Sequence, residues 1–332
     1  MSVLSIFKNN FSRIIRKKSI ILLALIITPI MVAAAVCFTS KTETKVHIAM
    51  CSNNESYNTN NKYMEIKVLN EKPKNWELLL GKYDAIVTER TNGKFSITTL
   101  KSMETKNNIE KYFDNHSTKA STLVRLIHTN GGRTGTNILG FLTVIILFLG
   151  VSLMTLYPED RDFGTFRRIL ISPMSSRKYL FAQGLFVCTV VFVPAYISVL
   201  FCKFVFDVDI VFNIGTFTAL LVLLCVLATA FSLFMTTVID NSDNCILLSS
   251  FLIIVLGVLS GCFSSVEYTN KIINLFTNVI PIKSYMVLVQ GLENGNSIFN
   301  YIFRLAYILI CIILLWGVGS LITNKKLKVG RY

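Results

Sequence analysis

Six apolar blocks govern what this chain can become: residues 20–38, 138–157, 179–206, 212–238, 245–263 and 298–323. Each is about as long as the roughly 20 helical residues needed to cross a hydrocarbon layer about 30 Å thick. Of the 332 residues, 52% are hydrophobic and only 16% are charged, against roughly 25% charged in a soluble domain. The apolar excess is confined to the blocks. The expectation is a membrane all-α protein with six transmembrane helices.

Residues 1–19 precede the first block. Leu4, Phe7, Phe11, Ile14 and Ile15 recur at helical spacing among Lys8, Arg13, Arg16, Lys17 and Lys18. That pattern suits a helix lying in the membrane interface; the plainer alternative is a basic flank that only orients the first span. Block 20–38 reads as an uncleaved anchor. A signal peptide is its rival, because Ala33, Ala34 and Ala35 resemble a cleavage site.

Residues 39–136 are polar and contain His47, His116 and His128. Strand-like runs lie at 46–50, 65–69, 85–89 and 95–99, with Asn92-Gly93 as a hairpin turn between the last two. Helical runs lie at 76–83 and 105–113. This reads as an α+β domain set between the first and second spans. Residues 137–323 then form a five-helix membrane domain. Within it, 264–297 is broken by Pro281 and Gly291 and reads as re-entrant or external helices. Residues 324–332 form a tail.

Basic residues set the orientation. The leader, residues 158–178 with Arg161, Arg167, Arg168, Arg177 and Lys178, and the tail with Lys325, Lys326, Lys328 and Arg331 all fall on one side. That side is the cytoplasm, so both termini are inside (N-in/C-in) and the α+β domain is extracytoplasmic. The protein is then multi-pass in the cell membrane. The same bias accounts for a net charge of +14 without a nucleic-acid partner.

Several chemistries are missing from the sequence. It has no phosphate loop of the form G-x-x-x-x-G-K-[ST], no H-E-x-x-H and no G-x-S-x-G. The eight cysteines include no C-x-x-C pair. The expectation is no catalytic residue, no cofactor and no metal. No Asp or Glu stands mid-block, where an ion-coupled transporter places one, so any energy comes from outside the chain.

One polar segment stands out: Pro158-Glu159-Asp160-Arg161-Asp162-Phe163-Gly164-Thr165-Phe166-Arg167-Arg168-Ile169-Leu170-Ile171-Ser172-Pro173. Phe163, Phe166, Ile169 and Leu170 recur at helical spacing. Glu159, Asp160 and Asp162 load the N-terminal end, where a helix dipole favours negative charge. The segment reads as one amphipathic rod with an apolar docking face, stopped by Pro173, with Ser175 or Ser176 capping the next span.

With its acidic residue, Gly-Thr pair, arginine, apolar pair and proline followed by a span, this segment resembles the signature of type-2 ABC transporter permeases, the membrane subunits of type V-like exporters. The layout of the whole chain is similar to that family, as is the broken segment around Pro281 to Tyr285. The resemblance implies that residues 159–172 form a coupling helix against a separate ABC ATPase subunit. It assigns that contact to Glu159, Asp162, Phe163, Gly164, Thr165, Phe166, Arg167, Arg168 and Pro173. It further implies a second permease chain, as homo- or heterodimer, and export of an amphiphilic substrate such as a peptide, lipid or drug-like molecule. Asp162 departs from the family pattern, in which Glu is commoner. A change to Asp at Gly164 or Phe166 is expected to uncouple ATPase from transport without unfolding. The alternative is a non-transporting receptor or secretion-accessory protein of the same layout.

Overall fold

The computed structural model describes residues 3–16, 18–42, 46–51, 59–60, 64–69, 73, 83, 85–89, 95–99, 106, 109–110, 113, 134–171, 175–205, 212–263 and 277–328. The chain divides into two compact units.

One unit is built on a five-stranded sheet of β1 (Val46–Cys51), β2 (Thr59–Asn60), β3 (Met64–Leu69), β4 (Ala85–Glu89) and β5 (Phe95–Thr98), in the order β2-β3-β1-β4-β5. The central strand β1 pairs in parallel with β3 and β4, and the two edges are antiparallel. Parallel strands are normally buried on both faces, and β1 obeys this. Ile48 and Met50 point to one face with Ile66, Val87 and Ile97. Ala49 points to the other, with Tyr83 and Ile86. Ile109 and Phe113, both helical and four residues apart, cover the first face. The four strands expected from the sequence all lie within one residue of their observed bounds. The antiparallel pairing of Glu89 with Phe95 closes β4 onto β5; the Asn92-Gly93 turn itself lies outside the described residues, as do His116, His128 and most of 76–83.

The other unit holds Met1–Val36, Thr134–Phe263 and Thr277–Tyr332. Its helices are α1 (Val3–Arg16), the part of α2 (Lys18–Thr42) up to Val36, α3 (Thr134–Met154), α4 (Leu156–Asp162), α5 (Thr165–Ile171), α6 (Ser176–Val205), α7 (Ile214–Val238), α8 (Ser242–Leu259), α9 (Pro281–Glu293) and α10 (Ile302–Lys328). A short 3-10 turn, Ile298–Tyr301, leads into α10. Among the described residues, five helical stretches are long and apolar enough to cross a membrane: Thr134–Asp162, Ser176–Val205, Ile214–Val238, Ser242–Leu259 and Ile298–Lys328. In α2 the corresponding apolar stretch is Leu25–Cys37.

Helix α7 is the axis of this unit and packs on α3, α6, α8 and α10. Small residues set the spacing. A methyl group added at Gly140 of α3 would sit 2.0 Å from the Cys262 carbonyl oxygen, so only glycine allows that approach. The buried hydroxyls of α7 serve their own helix: Thr229, Ser232 and Thr236 donate to the carbonyls of Cys225, Ala228 and Ser232. This back-bonding satisfies them inside an apolar medium.

Helix α9 has 13 residues and is about 20 Å long at 1.5 Å per residue, too short to span. It opens with Pro281 in its first turn, where a missing N–H costs nothing. The Tyr285 hydroxyl pins it by donating to the Leu220 carbonyl at 3.2 Å. Helix α10 runs past the expected limit of residue 323 and brings Lys325, Lys326 and Lys328 into its last turn, where the helix dipole favours cations.

Candidate functional site

The segment after α3 is not the single rod expected from its periodicity. It is two short helices, α4 and α5, separated by a turn at Phe163 and Gly164. Gly164 has φ +66, in the left-handed region that costs an L-residue roughly 1–2 kcal/mol. Its amide donates to the Arg161 carbonyl at 3.0 Å and its own carbonyl accepts from the Arg168 amide at 3.2 Å. The turn thus ends α4 and starts α5 within two residues. Thr165 is the first residue of α5.

This bend sorts the apolar residues differently from the expected shared face. Phe163 is 72% exposed at the tip of the turn, whereas Phe166 is fully buried. Phe166 stands edge-on to Tyr157 and Tyr179, with centroids 5.5 and 4.9 Å away. Tyr157 in turn shares a hydrogen bond of 3.1 Å with Thr323 of α10. Phe166 therefore anchors the turn to its own bundle, and an Asp there would place a charge inside a packed aromatic cluster. The surface left for another molecule carries Asp162, Phe163, Arg167, Arg168 and Ile171, all exposed. Arg168 leans back toward the Phe163 carbonyl at 3.4 Å. The side chain of Leu170 and all of Pro173 lie outside the described residues. Ser175 caps the following helix, its hydroxyl accepting from the Lys178 amide at 3.4 Å.

Two clasps hold α4 from opposite neighbours. Asp160, only 3% exposed, accepts from Arg13 of α1 at 2.6 Å and from the Tyr179 hydroxyl of α6 at 2.5 Å. Arg13 also lies 3.6 Å from Glu159. The next residue, Arg161, forms the second clasp with Asp240, through the carboxylate at 3.2 Å and through the backbone carbonyl. Lys326 of α10 binds the same Asp240 carboxylate and the Thr237 carbonyl. Adjacent residues of one short helix thus grip α1, α6 and the α7–α8 corner, and that corner's Asp240 links them to α10 through Lys326.

Helix α1 completes the assembly. Ile6, Asn10 and Ile14 are buried against α6. Asn10 donates to the Gln183 side-chain carbonyl at 2.5 Å, and Phe7 meets Phe186 edge-on at 5.7 Å. Leu4, Phe11 and Ile15 form a second, exposed apolar sector; Ser5, Asn9, Ser12 and Arg16 form a third, polar one. At 100° per residue, these sectors centre about 120° apart on the helix. The helix has one side packed on protein, one exposed apolar side and one exposed polar side.

Asp160, Arg13, Tyr179, Asp240 and Lys326 were not among the residues that the sequence assigned to the site. Asp160 had a legible signal, since it stands in the same acidic run as Glu159 and Asp162. Its selection as the buried member depends on partners 147 and 19 residues away.

A model of the ABC-2 family transporter protein matches residues 18–322, from α2 to the last turns of α10. The chain belongs to the ABC-2 transporter family. No curated protein matches it. The ABC-2 match and the five apolar helices make this a multi-pass membrane protein and a transport component. The clasped turn of this ABC-2 protein falls inside the matched stretch, while α1, which holds the turn through Arg13, precedes it.

Proposed function

We propose that this protein is the permease subunit of an ABC exporter, driven by a separate ATPase subunit that docks on the turn at Phe163 and Gly164. The observation that carries this reading is the division of labour in the turn. Phe166, Asp160 and Arg161 bind it rigidly to the bundle, and Phe163 with Arg167, Arg168 and Ile171 remains exposed. A large exposed aromatic rimmed by arginines is a protein-docking surface in composition. Force applied at the tip passes through both clasps to four neighbouring elements. Because packed helices shift as stiff bodies, a push there becomes a rearrangement of the spans.

In this reading α2 is the sixth span, both termini are cytoplasmic, the sheet unit is extracytoplasmic, and the chain pairs with a second permease in the cell membrane. The passenger is amphiphilic (a peptide, a lipid or a drug-like molecule), in keeping with a central helix α7 whose buried Thr229, Ser232 and Thr236 hydroxyls are already satisfied by their own helix.

The test is co-purification with a phosphate-loop ATPase, followed by export and ATPase assays on wild type and Phe163→Asp. The variant is expected to melt like wild type, lose the ATPase from the complex and lose at least tenfold in export. Full export by a Phe163→Asp protein refutes docking at the turn. If no ATPase accompanies the wild type, the non-transporting receptor of the same layout is favoured instead.

A further inference from the structure

At the end of α3 remote from the coupling turn, a second contact ties that helix down. Glu293, the last residue of α9, is 1% exposed. Its Oε1 accepts from the Gly135 amide at 2.9 Å. Its Oε2 accepts from the Thr136 amide at 2.8 Å and from the Thr136 hydroxyl at 2.5 Å. Gly135 and Thr136 lie in the first turn of α3, where backbone amides have no partner within the helix and the dipole attracts negative charge. Hydrogen bonds to an ionised acceptor are roughly twice as strong as neutral ones.

The seat is built for this carboxylate. A methyl group at Gly135 would lie 2.9 Å from Glu293 Oε1 and 2.5 Å from Phe212, so a side chain there would displace the acid. Behind Glu293, the chain turns tightly. The Asn294 and Gly295 amides donate to the Gln290 and Leu292 carbonyls, and the Asn296 amide donates to Gly291. The Asn296 side chain then reaches the Tyr301 hydroxyl at 3.1 Å. The carboxylate is therefore fixed by both the helix it ends and the turn that follows.

From Thr134 to Asp162, α3 and α4 run on through the single turn residue Thr155 as a helical stretch of 29 residues, about 43 Å long. The coupling turn hangs from one end and Glu293 holds the other. We infer that Glu293 is a positioning residue that makes α9 travel with α3, so that a displacement at the coupling turn is delivered to the half-length helix α9. This rests on the reading that the turn is driven by an ATPase. A helix that cannot cross the membrane and is pinned at Tyr285 and Glu293 has little freedom of its own. It is moved by what it is tied to.

The experiment is amide hydrogen exchange on the full chain, with its ATPase subunit, in the presence and absence of a non-hydrolysable ATP analogue. Wild type, Glu293→Ala, Glu293→Gln and Thr136→Val are compared. In wild type the nucleotide is expected to change exchange in both the coupling turn and α9. In Glu293→Ala the turn should still respond and the α9 response should fall at least fivefold. Glu293→Gln, which keeps an acceptor oxygen, should restore part of it. Thr136→Val, which removes one donor and keeps the side-chain shape, should give an intermediate loss should the alanine variant fold poorly. An α9 response of wild-type size in Glu293→Ala or in both milder variants overturns the inference. A wild-type turn that does not respond to nucleotide overturns the ATPase reading instead. The clamp is then judged by the basal exchange of Gly135 and Thr136, which should accelerate at least tenfold in Glu293→Ala; unchanged protection there refutes it.

Discussion

Cutting the Arg13–Asp160 contact is the sharpest probe of the clasp, because its two partners differ in exposure. The Asp160 side chain is 4% exposed and that of Arg13 is 26%. A fully exposed pair contributes about 0–1 kcal/mol, while removing one partner of a buried pair costs about 3–5 kcal/mol. With one partner a quarter exposed, the lower end of the buried range applies. Arg13→Met keeps the stem packed but leaves the Asp160 carboxylate with Tyr179 alone, for an expected cost of about 3 kcal/mol. Asp160→Asn keeps an oxygen for the Tyr179 hydroxyl and loses the charge, which places it near the value of a charge-assisted hydrogen bond, about 2 kcal/mol. Glu159, 3.6 Å from Arg13, softens the second change but not the first. The double variant buries no unmatched charge, so its cost should fall short of the sum by about 1–2 kcal/mol. The assay is denaturant unfolding of the full chain in mixed micelles, with the four proteins measured at one protein and detergent concentration. A coupling energy below about 0.5 kcal/mol would show that the pair is incidental to the fold and that the clasp argument is wrong.

Other consequences are simpler. Phe166→Ala should destabilise the helical unit by about 3–5 kcal/mol, as expected for a buried aromatic, whereas Phe163→Ala should stay within about 0.5 kcal/mol of wild type; the same unfolding assay separates them. Gly140→Ala should sharply reduce the folded fraction recovered on size exclusion, since its methyl would overlap the Cys262 carbonyl, while Gly317→Ala, with nothing within 4 Å of the added carbon, should behave as wild type.

Much of this architecture is legible in the residues themselves. Five of the six apolar blocks mark the helices long and apolar enough to cross a membrane to within about five residues, because membrane thickness sets a length that composition reveals. Four of the five strands of the sheet unit are equally readable, since short strand-like runs bounded by turn residues act locally; the two-residue β2, Thr59–Asn60, offers no such run. What escaped is what depends on distant partners. Periodicity groups Phe163 with Phe166, but Gly164 bends the chain between them, and the burial of Phe166 is decided by Tyr157 and Tyr179. A glycine inside an apparently helical run is itself a break signal, and here it deserved more weight than the periodicity. Glu293 sits in a polar stretch and looks like a surface acid. Its partners are 157 and 158 residues away, and no local pattern announces them.

The three-sided nature of α1 bears on how the protein is made. Asn10 and its partner Gln183 are separated by 173 residues, so at about 5–20 residues per second the ribosome takes roughly 10 to 35 s to supply α6 after α1 emerges. Throughout that interval the protein-facing side of α1 has nothing to pack on. In the proposed reading, with α1 on the cytoplasmic face of the membrane, the sector formed by Leu4, Phe11 and Ile15 lets the nascent helix rest on the bilayer until its seat is synthesised.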